Sequence, residues 1–137
     1  MQSRLTYLAR IAYVGAAWLY VAGVLSIVFM AGMSLFSSAA LWALHRELGY
    51  TIGFLVPIFI VLALVGRLPR RQVPLLSLLL ILYIVQTILP VLRTSVPAVA
   101  ALHPVNAMLV FVVALVHARR SRELVQLSQP MAAPIAS

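Results

Sequence analysis

Four long apolar stretches, at about residues 11–33, 48–66 (within a span of about 43–66), 73–92 and 98–118, constrain this chain more than any other feature. Uninterrupted apolar runs of about 18 residues or more form membrane-spanning helices, because only a helix or a closed barrel satisfies its backbone inside lipid. Strands alternate polar and apolar residues, whereas these runs are apolar all round. The expected fold is therefore all-α, a polytopic membrane four-helix bundle. Composition agrees: 64% of the 137 residues are hydrophobic, 9% are charged, and the mean hydropathy is +1.11. Residues 1–127 read as one four-helix transmembrane domain. Residues 128–137, rich in proline, alanine and serine, read as a disordered C-terminal tail.

The net charge of +8 comes entirely from arginine, since the chain has no lysine. Spread on one soluble face, it would suggest nucleic acid. Instead it follows the helix ends. Arg4 and Arg10 precede the first span, Arg67, Arg70 and Arg71 separate the second from the third, and Arg119, Arg120 and Arg122 follow the fourth. Only Arg46 and Arg93 fall on the other side. By the positive-inside rule both termini and the middle loop are cytoplasmic, an N-in/C-in topology in a bacterial cytoplasmic (inner) membrane. The first apolar run is about twice as long as a signal-peptide core, so it is read as a retained span.

Along the chain, Ala12, Gly15, Ala16, Gly23 and Gly32 suit the first span to close helix approach. Tyr7, Tyr13, Trp18 and Tyr20 lie towards its cytoplasmic half, where some would act as interface anchors. Pro57 predicts a kink in the second span. The short link Arg67-Leu68-Pro69-Arg70-Arg71 predicts that the second and third spans are antiparallel neighbours. No internal repeat is visible.

Two histidines then stand out, because His45 and His103 each open an apolar stretch. Ionisable groups inside a membrane are costly and usually functional. With the termini inside, the second and fourth spans both enter from the outer face, which places His45 and His103 at similar depth. Two facing neutral imidazoles suit axial ligation of haem iron. Steps of four share a helix face, so His45, Gly49 and Gly53 align, as do His103, Ala107 and Phe111. The small residues Gly49, Gly53 and Ala107 would leave clearance for a flat macrocycle, although small-residue packing is also common in membranes. Gln86, Thr87, Asn106 and Thr51 gather near the same level. Arg46 and Arg93 are candidate partners for anionic haem propionates, or they simply reach the interface.

His117 follows His103 by fourteen residues, about 21 Å along a helix and near the same face. A second bis-histidine haem would need a ligand near position 59, where the residue is Phe59. Beside Arg119 and Arg120, His117 reads as interfacial. Glu47 and Glu123 are the only carboxylate side chains, so paired-carboxylate catalysis has almost nothing to use. No nucleophile triad or phosphate loop is present, and without cysteine there is no thiolate metal site or covalent haem attachment. Glu47 is expected to pair with Arg46 or Arg93 at the surface.

The string His45-Arg46-Glu47-Leu48-Gly49-Tyr50-Thr51-Ile52-Gly53 resembles the His-Arg-x-x-Gly-x-x-x-Gly segment of haem A synthase. That enzyme has two four-helix halves, each using histidines on its second and fourth helices for haem. The chain from about residue 5 to 120 also resembles DUF6220, a family of small four-helix bacterial membrane proteins. Leu102-His103-Pro104-Val105-Asn106-Ala107 is the second point of that likeness. Haem A synthase has a glutamate three residues before the corresponding histidine, where this chain has Trp42. The resemblance therefore implies a single haem-holding half rather than the enzyme.

These readings converge on a membrane b-type cytochrome with one haem b per chain, between the second and fourth spans near the outer face. Its metal ligands would be His45 and His103, with Gly49, Gly53, Ala107, Arg46, Arg93, Gln86 and Asn106 around the cofactor. It would transfer electrons with a quinone or a redox partner protein, as a subunit of a larger complex more than as a stand-alone enzyme. The alternative is a haem-free accessory or assembly subunit with no redox cofactor.

Overall fold

The computed structural model describes residues 4–126, and the expected tail at residues 128–137 lies outside them. Every regular element among the described residues is helical: α1 (Arg4–Phe36), α2 (Leu41–Gly53), α3 (Leu55–Val65), α4 (Val73–Ile88), α5 (Pro97–Ala100), α6 (His103–Ser121) and α7 (Glu123–Gln126). Short 3-10 turns at Arg70–Gln72 and Leu89–Arg93 flank α4. They group into four helices long and apolar enough to cross a membrane: Arg4–Phe36, Leu41–Val65, Arg70–Arg93 and Pro97–Val125. At 33 residues α1 is about 50 Å long, well beyond an apolar core of about 30 Å.

The second span breaks between α2 and α3 at Phe54. The cause is Pro57, which has no N–H for the Gly53 carbonyl and whose ring crowds it. Phe54 N–H bonds back to the Thr51 carbonyl at 3.2 Å instead, tightening the last turn of α2. The expected kink is present, and it lies at the carbonyl that Pro57 cannot serve.

Helix α3 ends in a Schellman turn. Leu68 N–H donates to the Ala63 carbonyl (3.0 Å) and Arg67 N–H to that of Leu64 (3.1 Å). Arg67 takes the left-handed position, with φ of 47°. Arg10 of α1 ties the turn down, donating from Nε to the Gly66 carbonyl at 2.8 Å and from Nη2 to that of Arg67 at 3.3 Å. Nearby, Gln72 Nε2 donates to the Arg120 carbonyl (3.1 Å) and Arg71 pairs with Glu123 (3.2 Å). Both ends of the described chain therefore meet the α3–α4 turn at one arginine-rich end of the bundle.

Helix α1 is the hub, packing on α2, α3 and α6, while α4 packs on α6. Around the bundle the spans run second, first, fourth, third. The second and third spans, expected to be close neighbours, are joined by the short turn but pack little along their lengths. The small residues that draw helices together lie on α1, where the Ile52 side chain rests against Gly23. Between the second and third spans stands the ring of Tyr83, whose hydroxyl covers Gly53. A short loop fixes proximity at one end only; side-chain size sets the rest.

The core is aromatic at its centre. Tyr13, Tyr20 and Phe59 are almost fully buried, and Phe59 meets Tyr13 edge-on at 5.4 Å and Tyr20 at 5.8 Å. Tyr13 and Tyr20 are thus core residues rather than interface anchors. Trp18 instead carries the Arg122 guanidinium over its ring at 4.4 Å.

Candidate functional site

At the end opposite the arginine-rich turn, the splayed spans line a half-open cavity of about 770 Å³. That volume falls within the usual range of about 300–1,000 Å³ for cofactor sites. His45 and His103 both line it, their ring centroids 6.3 Å apart and their planes at 69°. His45 lies inside α2, one turn past its start, and His103 is the first residue of α6.

Each imidazole is oriented by a backbone carbonyl. His45 Nδ1 lies 2.9 Å from the Ile27 carbonyl of α1, and His103 Nδ1 lies 3.2 Å from that of Gln86 on α4. A carbonyl can only accept, so both Nδ1 atoms carry a hydrogen, and in the neutral imidazole Nε2 is then the atom with the lone pair. Metal-bound histidines are held in the same way, the far nitrogen bonded to a carbonyl or carboxylate. Trp42, in the position of the haem A synthase glutamate, packs edge-on against His45 at 5.4 Å.

The amides form a directed chain. Asn106 Nδ2 donates to the Leu82 carbonyl (2.9 Å) and to Gln86 Oε1 (2.6 Å). With its oxygen engaged, Gln86 turns its NH2 to His103 Nε2 at 3.2 Å. Asn106 is itself buried and stands outside the cavity lining; it reaches the site through Gln86.

Gly49, Ala107, Arg46, Arg93 and Gln86 line the cavity, as does Thr87. Gly53 does not. A Cβ there would collide with the Tyr83 hydroxyl, whereas one at Gly49 meets nothing within 4 Å. The clearance expected from both glycines thus exists at Gly49 only, because Tyr83 fills the place below it. Gly53→Ala should cost about 1–3 kcal/mol by overpacking, and Gly49→Ala should raise stability by up to about 1 kcal/mol, since it relieves a helix-interior glycine with no clash. Denaturant titration in mixed micelles reads both.

Phe111 packs against the core instead of lining the cavity. Thr51 turns away, its hydroxyl bonded to the Glu47 carbonyl of its own helix at 2.8 Å. Glu47 pairs with Arg46 at 3.4 Å, an exposed contact of little energetic weight. Tyr20, Tyr50 and Tyr83 also line the cavity and were missed by sequence reasoning. Tyr83 could have been found: it is three residues before Gln86 and shares its face.

His117 is buried inside the bundle. It is 1% exposed, with Nε2 at 2.7 Å from the Tyr13 hydroxyl and its ring 6.1 Å from Phe59. Its near-common face with His103 carries it inward, and that geometry outweighs its nearness to Arg119 and Arg120. Phe59 does stand opposite it, as the register implied. A double-mutant cycle of Tyr13→Phe with His117→Leu should give a coupling of about 0.6–1 kcal/mol.

The second and third spans also carry a sequence signature. Residues 28–94 match the model of DUF6220, a family of unknown function. The chain resembles DUF6220. The matched stretch contains His45, Gly49, Gly53, Gln86 and Arg93 and ends before His103. No curated protein and no solved structure matches the chain. The likeness to haem A synthase therefore rests on the segment from His45 to Gly53 alone.

Proposed function

We propose that this multi-pass membrane protein is a b-type cytochrome that holds one haem b between His45 and His103. The observation that carries the reading is the pair of Nδ1–H groups given to backbone carbonyls, which leaves Nε2 as the ligating atom of two histidines that line one cavity. His45 and His103 would hold the iron between them, and their ring centroids lie 6.3 Å apart on one cavity.

The donor set favours haem over a bare ion. No group of three or more histidine, cysteine, aspartate or glutamate side chains gathers among the described residues. A structural zinc site uses four protein ligands and a catalytic one three. A haem brings its own ring nitrogens and asks the protein for two axial donors at most. Arg46 and Arg93 line the same cavity and suit the two propionates, while Gly49 leaves the face below His45 open.

When bound, the haem would supply one-electron chemistry. The chain's own part is to orient the imidazoles, exclude water with an apolar lining and neutralise the carboxylates. Eight arginines against two support a cytoplasmic location for the arginine-rich end, which places the site near the outer face of a bacterial inner membrane. There it would exchange electrons with a quinone or a redox partner protein.

The second reading, a haem-free accessory subunit, draws on the Gln86 amide, which already satisfies His103 Nε2. Separate substitution of His45 and His103 by alanine in detergent-purified protein distinguishes the two. Loss of the low-spin bis-histidine spectrum from each variant, with helicity intact, supports haem. Identical spectra in wild type and both variants support the haem-free subunit.

A further inference from the structure

The two histidines are not equivalent, and their difference bears on the ligand chemistry of the site. We infer that His103 is the exchangeable ligand of the pair, and that its place on the iron opens to a small neutral diatomic ligand. This rests on the haem reading above.

Three observations carry the inference. The first is competition for one lone pair. Gln86 Nε2 lies 3.2 Å from His103 Nε2 as its hydrogen-bond donor, and a metal would need that same lone pair. No hydrogen bond engages His45 Nε2 among the described residues, so His45 is free to bind without displacing anything. The second is that the competitor is held in place. Asn106 fixes the Gln86 oxygen at 2.6 Å and is itself anchored to the Leu82 carbonyl at 2.9 Å, so the Gln86 NH2 cannot flip away without breaking this bond.

The third is position along the chain. His45 lies within α2, with helix on both sides, and packs against Trp42. His103 is the first residue of α6, after the single turn of α5 and before Pro104. Helix ends open more readily than helix interiors. Small residues (Ala100 and Ala107) line the cavity beside His103, leaving space for the ring to swing aside towards Gln86.

If His103 left a bound iron for the Gln86 amide, one metal–nitrogen bond would break and one hydrogen bond would form, with no change of oxidation state. With Arg46 and Arg93 taken up by the propionates, the other lining residues next to His103 in sequence (Ala100, Pro104 and Ala107) are apolar, which suits a neutral diatomic molecule better than an anion.

The test uses full-length protein loaded with haem, reduced with dithionite and mixed with carbon monoxide, while the Soret band is followed. Wild type is expected to bind carbon monoxide. Gln86→Leu, which removes the competing donor, should keep a low-spin spectrum and bind at least about tenfold more slowly. His103→Ala should retain haem as a high-spin species that binds carbon monoxide at least as fast as wild type, and His45→Ala should lose the haem. No spectral change with carbon monoxide in haem-loaded wild type overturns the inference and leaves the cytochrome reading standing. So does an unchanged rate in Gln86→Leu, or haem retained by His45→Ala and lost by His103→Ala. Wild type that takes up no haem overturns the cytochrome reading itself.

Discussion

His45→Ala is expected to lower haem affinity by at least about 100-fold, the upper end of what loss of a mere orienting partner costs a metal site. His45 is the better-held imidazole: its Nδ1–H is fixed by Ile27, its ring is packed by Trp42, and it lines the cavity. Alanine removes the donor atom and leaves α2 otherwise complete, since alanine is the strongest helix former. The four spans should therefore remain folded. Haem content after gel filtration, set beside far-ultraviolet circular dichroism, separates loss of the ligand from loss of the fold. Full haem occupancy in the variant would remove His45 from the site.

Gly49→Phe is expected to block haem uptake almost as completely, with the helices intact. Gly49 lies one turn beyond His45 on the same face, and nothing approaches the position of its missing Cβ within 4 Å. A benzyl group there projects into the cavity without displacing any protein atom at its root. It should occupy the space of the macrocycle while removing a glycine from a helix interior, which by itself is worth up to about 1 kcal/mol in favour of the variant. Gly49→Ala serves as the control and should bind haem as wild type does. Normal uptake by Gly49→Phe would mean that a bound haem lies on another face of α2.

Much of the architecture could be read from the amino-acid order. Four apolar runs named the spans, and steps of four along the second and fourth brought His45 and His103 onto inward faces. Four successive spans alternate in direction, which put both histidines at one end of the bundle, where their rings lie 6.3 Å apart. Helical periodicity says which residues share a face, but not what stands opposite. Gly53 was expected to face empty space, yet the hydroxyl end of Tyr83, reaching across from α4, covers it. The same limit hid the route by which Asn106 reaches His103, since their bridge is a Gln86 side chain on another helix.

His117 shows the converse. Its neighbours in sequence are arginines, which suggested an interfacial place, but its face decided its surroundings, and it is buried against Tyr13 and Phe59. Packing of the second against the third span was likewise not contained in the length of their link. That outcome depends on where bulk lies: Gly23 admits Ile52 on one side, and Tyr83 holds the spans apart on the other.

The most direct measurement is a reduced-minus-oxidised absorption spectrum of the detergent-purified protein after expression with added haem precursor. A b-type spectrum at one haem per chain, low-spin before carbon monoxide is added, is the result this account requires. A flat difference spectrum from folded, haem-supplemented protein would contradict it and leave the paired histidines as a hydrogen-bonded element of a haem-free subunit.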